Sequence, residues 1–190
     1  LVGGQDVRSI SAAELMEQIS FVFQEVHLFK KSIRDNIRAA RPNATEEEIL
    51  QAAQLAQCGD ILEKIPGGLD AVIGAKGVYL SGGEMQHIAL ARAILKDAPI
   101  VVLDEASSFA DPENEVKIQK AFEVLMKGKT VLMIAHRLST VRRMDRILVI
   151  KKGVVVEEGK HDELIEKGGV YASMWEEYQS AAQWKVGGEE

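Results

Sequence analysis

Two short segments constrain this chain more than any other feature. Leu-Ser-Gly-Gly-Glu occupies residues 80–84, and Ile-Val-Val-Leu-Asp-Glu follows at residues 100–105. The first has the form of a helix start that can hold an anion, because glycine amides are free to face an oxygen and Glu84 stands three residues after Ser81, as in a capping box. The second is an apolar β-run ending in two carboxylates, and α/β sheets place metal-binding and catalytic groups at the carboxyl ends of strands. Together they predict chemistry on a nucleoside triphosphate.

The surrounding pattern predicts an α/β fold. Apolar runs at 19–23, 100–103, 130–135 and 146–150 are typical of short buried strands, and residues 113–126 have a helical period. A helix between two strands implies that the strands run parallel and are joined by a crossover. We therefore expect a mostly parallel sheet.

The middle of the chain is predicted to be helical. One helix is expected from Asn36 to Arg41, ending at Pro42, and another begins after Thr45 with a capping box and has Leu55 on its apolar face. The helix that begins at Ser81 is expected to run to about Lys96 and to bury Met85, Ile88, Ala89 and Leu95. A final helix is expected to start near Asp162 and to continue past Trp175. These transitions predict an N-terminal part of the α/β core at 1–29, a helical subdomain at 30–98, further strands and the C-terminal helix of the core at 99–178, and a tail at 179–190.

Composition excludes some classes of function. A net charge of −6 argues against nucleic acid as the main partner, because phosphate backbones are bound by clustered Lys and Arg. Cys58 is the only cysteine, so no disulfide forms within the chain, and a reducing cytosolic setting is expected. No apolar run approaches the roughly 18 residues of a membrane span, and Leu1 opens no signal peptide.

Five motifs give the chain a resemblance to the nucleotide-binding domain of exporter-type ABC transporters. The motifs and their counterparts in that family are Phe23-Gln24 (Q-loop), Leu80 to Glu84 (signature), Val101 to Glu105 (Walker B), Ser108 to Asp111 (D-loop) and Ala135-His136 (switch histidine). The resemblance implies an α/β fold with a partial P-loop NTPase core, a mostly parallel sheet and an inserted α-helical subdomain.

One motif of that family does not occur. The pattern Gly-x-x-x-x-Gly-Lys-Ser/Thr, which holds phosphates in P-loop proteins, is found nowhere in the sequence. In the family it precedes the Q-loop, so we expect a domain that is truncated at its N-terminus. The resemblance also implies that a strand is missing between those at 130–135 and 146–150, which would leave two apolar edges facing a gap.

The resemblance assigns the catalytic and metal-binding roles. Asp104 and Gln24 would hold Mg²⁺, Glu105 would polarise the attacking water, and His136 would contact the γ-phosphate and align Glu105 and the water. Gln24 would also report the nucleotide state to the helical segment. From the residues alone, Asp104-Glu105 could instead be a turn that caps the next helix.

The signature residues Ser81, Gly82, Gly83 and Glu84 would bind the γ-phosphate of ATP held by a second nucleotide-binding domain, and Asp111 would touch that domain at the dimer seam. An ordinary helix cap is the alternative for Ser81 to Glu84, although two glycines just inside a helix lower its propensity without local gain. The other histidines, at positions 27, 87 and 161, are interpreted as structural.

Several positions depart from the family pattern, among them Phe109-Ala110, an uncommon filling of the D-loop. Glu84 replaces the usual glutamine, Ala75 stands where exporters carry a glutamate, and Met85 and His87 occupy positions often held by arginine. The glutamate at 84 is compatible with activity, whereas Ala75 places coupling through that loop in question.

We therefore expect an ATP- and Mg²⁺-binding, ATP-hydrolysing domain that pairs with a second such domain and with transmembrane domains at the cytoplasmic face of a membrane. The alternatives are a soluble, non-transport ABC ATPase, a non-hydrolysing regulatory partner domain, and a stand-alone interaction protein. A helix N-terminus contributes about 0.3–1 kcal/mol to anion binding, whereas millimolar affinity requires about 4 kcal/mol. Alone, the chain is thus predicted to be inactive.

Overall fold

The structure of the protein, a computed structural model, describes residues 1–74, 77–104, 112–135 and 138–186. The chain divides into two compact units, Leu1–Ile134 and Ala135–Glu190. The first contains a parallel sheet with helices, and the second contains a β-hairpin with helices. The division into core, helical subdomain and tail expected from the sequence stays a prediction. Within the described ranges, no helix combines the length and the apolarity needed to cross a membrane.

Six α-helices and three strands are described in the first unit. The helices are α1 (Ala12–Glu17), α2 (Ile33–Arg38), α3 (Glu46–Leu55), α4 (Gly59–Lys64), α5 (Gly82–Lys96) and α6 (Pro112–Met126), and the strands are β1 (Ile19–Val22), β2 (Ile100–Asp104) and β3 (Thr130–Ile134). Capping boxes start α1, α3 and α5 at Ser11, Thr45 and Ser81, and the sequence predicted the latter two.

Helix α2 lies earlier than the sequence predicted. We expected a helix from Asn36 to Arg41, but α2 begins at Ile33 and ends at Arg38. The reason is a cap: the hydroxyl of Ser32 accepts a hydrogen bond from the main-chain N–H of Asp35 at 3.0 Å. The prediction relied on Pro42 as a stop signal and missed this start signal.

The strands of the first unit form a parallel sheet in the order β1-β2-β3, which confirms the predicted parallel pairing. Val22 pairs with Leu103, and Asp104 pairs with Ile134, so neighbouring strands end at nearly the same level. Among the described residues, β3 pairs only with β2. The carboxyl ends of the three strands therefore share one edge.

The two faces of this sheet differ in burial. Val22, Val101 and Leu103 point into the apolar core that the sheet shares with the helices. On the opposite face, Leu132 is 56% exposed and Ile134 is 51% exposed. Parallel sheets are usually covered on both faces, so an exposed apolar face is unusual for a sheet of this kind.

Helix α5 passes through the core of the first unit. Its Ile88 and Leu90 are fully buried and pack in one cluster with Ile33 of α2 and Ile49 of α3. Full burial of such a side chain contributes about 1.5–3 kcal/mol. Tight packing over this length fixes the position of the N-terminal turn of α5.

Burial along α5 and α3 departs from the sequence-based expectation at a few positions. Met85 and Ala89 are only partly buried, whereas the polar side chains of Gln86 and His87 are buried. Leu55, predicted on the apolar face of α3, is 36% exposed. Cys58 is fully buried, and burial raises the pKa of its thiol to about 12, in agreement with a packing role.

The second unit is organised around a hairpin. Its elements are α7 (Leu138–Val141), β4 (Ile147–Lys151), β5 (Val154–Gly159), α8 (His161–Glu166) and α9 (Val170–Val186). Strands β4 and β5 are antiparallel, and Lys152 and Gly153 both have positive φ, as the two central residues of a tight hairpin turn require.

The last helical region is two helices where the sequence predicted one. Helix α8 ends at Glu166, Gly168 takes a left-handed φ of +64°, and α9 starts at Val170. Glycine is favoured after a helix end because it adopts this conformation without steric cost. The prediction missed the break because apolar residues continue on both sides of it.

Candidate functional site

The first turn of α5 leaves two main-chain amides open. The hydroxyl of Ser81 accepts from the N–H of Glu84 at 3.3 Å, and Oε2 of Glu84 accepts from the N–H of Ser81 at 2.7 Å. The N–H of Met85 donates to the carbonyl of Ser81 at 2.9 Å. Within the described ranges, the N–H groups of Gly82 and Gly83 have no acceptor. They stand at the positive end of a helix of 15 residues.

This turn therefore fits the group that the sequence predicts for it. An anion at a helix N-terminus accepts hydrogen bonds from unpaired amides, and phosphate groups are the common occupants of such sites. Gly82 is exposed and Gly83 is partly exposed, so the amides are within reach of a ligand from solvent. The capping box keeps the turn in place without using these two donors.

Gly83 lies directly against α6. A Cβ atom built on Gly83 would stand 2.5 Å from Nδ2 and 3.4 Å from Cγ of Asn114. Real Cβ atoms do not approach other atoms so closely, so glycine at this position allows the turn and α6 to pack together. Asn114 was not singled out from the sequence.

His87 holds Asn114 in this position. It lies one helical turn after Gly83 on α5 and is 1% exposed. Its Nδ1 is 2.7 Å from the carbonyl oxygen of Ala56, and its Nε2 is 2.9 Å from Oδ1 of Asn114. Both ring nitrogens thus have protein partners, which agrees with the structural role predicted for His87.

Gln24 and Asp104 lie at the same edge of the sheet. Asp104 is the last residue of β2 and is partly buried, while Gln24 follows shortly after the end of β1 and is exposed. Because Val22 pairs with Leu103 in parallel, the chain leaves β1 level with Asp104.

Carboxylate and amide oxygens are donors that Mg²⁺ accepts, and this ion is usually held by one or two carboxylates together with substrate phosphates. The donor set at the edge therefore fits the ion. No group of three or more His, Cys, Asp or Glu side chains suitable for a metal occurs among the described residues.

A partly buried arginine connects the segment after Gln24 to α5. Arg92 donates from Nε to the carbonyl of Asn36 at 2.9 Å and from a terminal nitrogen to Oδ1 of the same residue at 3.1 Å. Its guanidinium lies 5.5 Å from the ring centroid of Phe29, and Asn36 in turn accepts from the N–H of Phe29 at 2.7 Å. Burial lowers the pKa of Arg92 below its usual value. The segment is therefore anchored to the helix that carries the open turn.

Several predicted site residues lie outside the described residues. These are Glu105, Asp111 and His136, together with Ala75 of the loop before α5. Their roles stay predictions. The structural role of His27 stays a prediction, whereas His161 is buried and its Nδ1 lies 2.8 Å from the hydroxyl of Tyr171, which agrees with the predicted structural role.

Comparison with known proteins identifies the family. The sequence family described as "ABC transporter" matches residues 1–108. The ATP-dependent lipid A-core flippase of Escherichia coli (strain K12) is 47% identical over 175 residues, which are 92% of this chain and 30% of the flippase. The protein of the same name from Syntrophus aciditrophicus is 48% identical over 174 residues, 92% of this chain and 29% of its own.

A solved structure gives the same result for the fold. The structure of a bacterial Atm1-family ABC exporter with ATP bound superposes with a TM-score of 0.85 at 36% identity, covering 93% of this chain and 31% of the exporter chain. The chain thus spans about a third or less of the length of the relatives it matches. Its mixed α/β architecture with a parallel sheet is that of an ABC ATPase core, and the chain belongs to the ABC transporter family.

Proposed function

We propose that this chain is part of the ATP-hydrolysing domain of an exporter-type ABC transporter. The observation that carries the proposal is the open pair of N–H groups on Gly82 and Gly83 at the start of α5. In this account they bind the γ-phosphate of ATP, together with the hydroxyl of Ser81. The helix dipole favours the negative charge at this point.

The sheet edge supplies the second half of the chemistry. Asp104 and Gln24 would hold Mg²⁺, whose chemistry is to neutralise charge on phosphate oxygens. Glu105 would orient and polarise the attacking water, and His136 would donate a hydrogen bond to the γ-phosphate.

The proposed partners follow from the separate roles of the α5 turn and the sheet edge. The turn at Ser81 would meet ATP bound to a second nucleotide-binding domain, with Asp111 at the seam, and membrane-spanning domains would convert closure of the pair into transport. Two relatives are named lipid A-core flippases and a third is an ABC exporter, which supports transport over a soluble, non-transport ATPase. The site would then lie at the cytoplasmic face of a membrane.

The proposal is tested in the full-length protein that contains this chain, by its Mg²⁺-dependent ATP hydrolysis. Glu105→Gln removes the proposed water-activating carboxylate and is expected to lower kcat by about 10²–10⁴-fold. Wild-type protein that hydrolyses no ATP, or a Glu105→Gln variant as active as wild type, would contradict the proposal.

A matched pair of caps tests the role of the turn. Ser11→Ala and Ser81→Ala each remove the hydroxyl of a capping box and cost about 1 kcal/mol of helix stability. Only Ser81→Ala is expected to raise the KM for ATP. An equal change in the KM for ATP in both variants would show that Ser81 is only a helix cap.

The isolated chain should neither bind nor hydrolyse ATP appreciably, because a helix N-terminus supplies only about 0.3–1 kcal/mol of the roughly 8 kcal/mol that micromolar affinity requires. Titration calorimetry of the 190-residue chain with Mg²⁺-ATP checks this. Micromolar affinity would refute it.

A further inference from the structure

Asn114 is the polar residue that joins the open turn of α5 to α6. One side of its amide group faces His87, with Oδ1 2.9 Å from Nε2, and the other faces Gly83, with Nδ2 2.5 Å from the position that a Cβ would take. Gly83 and His87 are four residues apart and thus share one face of the helix. The side chain of Asn114 spans this face along one helical turn.

The hydrogen bonds of His87 explain why an amide suits this position. The carbonyl of Ala56 can only accept, so Nδ1 of His87 carries the proton in this contact. Nε2 is then an acceptor in the neutral ring and a donor in the charged ring. An asparagine amide has both an NH₂ and a carbonyl end, and a half-turn about its last bond satisfies Nε2 in either state. Neither alanine nor an ionised aspartate does so.

The contacts from Ala56 through His87 to Asn114, called the relay below, fix the turn against two other helices. Ala56 is the C-terminal cap of α3, so its carbonyl belongs to the last turn of that helix, whose groups need partners from outside. The contacts therefore run from α3 through His87 to Asn114 of α6, and Asn114 lies against Gly83. Helix α6 also begins shortly after Glu105 in the sequence, so the relay joins the turn to the helix that follows the proposed catalytic carboxylate.

We propose that Asn114 is a positioning residue for the Ser81–Glu84 turn, and that His87 holds its amide against Gly83 so that the two open N–H groups keep the orientation needed for phosphate. This inference rests on the proposed function. Asn114 itself touches no reacting atom in this account and acts through the backbone of Gly83.

The kinetic test uses Asn114→Ala in the full-length protein. Loss of positioning removes binding that is equal in the ground and transition states, so the KM for ATP should rise about tenfold, the equivalent of one good hydrogen bond, while kcat changes little. A purely structural role would lower the active fraction, and hence kcat, with KM unchanged. Asn114→Asp should raise KM further, because its carboxylate would lie beside the phosphate site.

Lys117→Met is the matched control. Lys117 lies one turn further along α6 and donates to Oδ2 of Asp60 at 2.7 Å, so this variant breaks a polar contact of the same helix and leaves the hydrogen bond between Asn114 and His87 in place. It should leave the KM unchanged. An unchanged KM for Asn114→Ala, or an equal rise for Lys117→Met, would overturn the inference.

A second measurement needs no ATP. Amide hydrogen exchange of a peptide covering residues 81–85 in the full-length protein should be faster in Asn114→Ala than in wild type, and unaltered in Lys117→Met. If wild type shows no Glu105-dependent hydrolysis, the proposed function fails and exchange alone decides. Faster exchange in Asn114→Ala then supports the positioning role, and unchanged exchange overturns it.

Discussion

Two helix starts in this protein handle their free amides in opposite ways. At the start of α9, Glu157 accepts from the N–H of Val170 at 2.8 Å and from the N–H of Tyr171 at 2.9 Å. At the start of α5, the N–H groups of Gly82 and Gly83 have no acceptor within the described ranges. A carboxylate of the chain itself thus closes the start of α9, whereas the start of α5 is open among the described residues.

The start of α9 shows that free main-chain amides at a helix N-terminus stabilise a negative charge. The two amide hydrogen bonds, from Tyr171 and Val170, hold the pKa of Glu157 below its usual range, so the charged form is favoured there. A phosphate at the open turn of α5 would meet the same kind of donors. Glycine serves both sites, because a side chain at Gly169 would collide with Glu157 and one at Gly83 would collide with Asn114.

The largest expected effect on stability comes from filling the space beside Gly169 at the start of α9. Gly169→Ala should destabilise the protein by about 1–3 kcal/mol, since the added methyl must displace the Glu157 carboxylate. Gly59→Ala is the matched control: no atom lies within 4 Å of the added methyl, and the residue is helical, so stability should stay equal or rise slightly. Urea unfolding compares the two. Equal stabilities would show that Glu157 does not need this space.

Low pH should weaken the interaction of Glu157 with the amides at the start of α9. The folded pKa of Glu157 is depressed, so its stabilising contribution is complete above the ordinary carboxyl pKa of about 4.3 and is lost as the pH falls through the lower folded pKa. Glu157→Gln should therefore be less stable than wild type at neutral pH and approach it at low pH. Thermal melting across this range measures the difference, and a difference that does not vary with pH would contradict the assignment.

The smallest effect distinguishes the two starts directly. Inorganic phosphate binds a lone helix N-terminus only weakly, with about 0.3–1 kcal/mol from the dipole. At high concentration it should still shift the amide NMR signals of Gly82 and Gly83 and leave those of Val170 and Tyr171 unmoved. Equal shifts at both helix starts, or none at α5, would break the comparison.

The start of α5 could be predicted from a local sequence pattern, whereas contacts between residues far apart in the sequence could not. The capping box of Ser81 and Glu84 depends on residues three apart, so the sequence alone placed the start of α5 correctly. The contact of His87 with Asn114 joins residues 27 apart, and nothing in the sequence pairs them. The same holds for Glu157, which reaches α9 from β5.

Strand pairing shows the same limit. Alternating strands and helices predicted the parallel sheet. The expectation that Gln24 and Asp104 act together came from the family resemblance, and the structure places both at one edge of the sheet. The exposed face with Leu132 and Ile134 was not foreseen, because a continuous apolar run such as residues 131–134 is typical of a strand that is covered on both faces.

The most direct test of the central claim combines two variants in mixed dimers of the proposed full-length transporter. If each ATP lies between the Ser81 turn of one copy and Glu105 of the other, a Ser81→Arg copy paired with a Glu105→Gln copy keeps one complete site and should retain ATP hydrolysis. One copy carrying both changes, paired with wild type, should have none. Activity in the second pairing and not in the first would contradict the account.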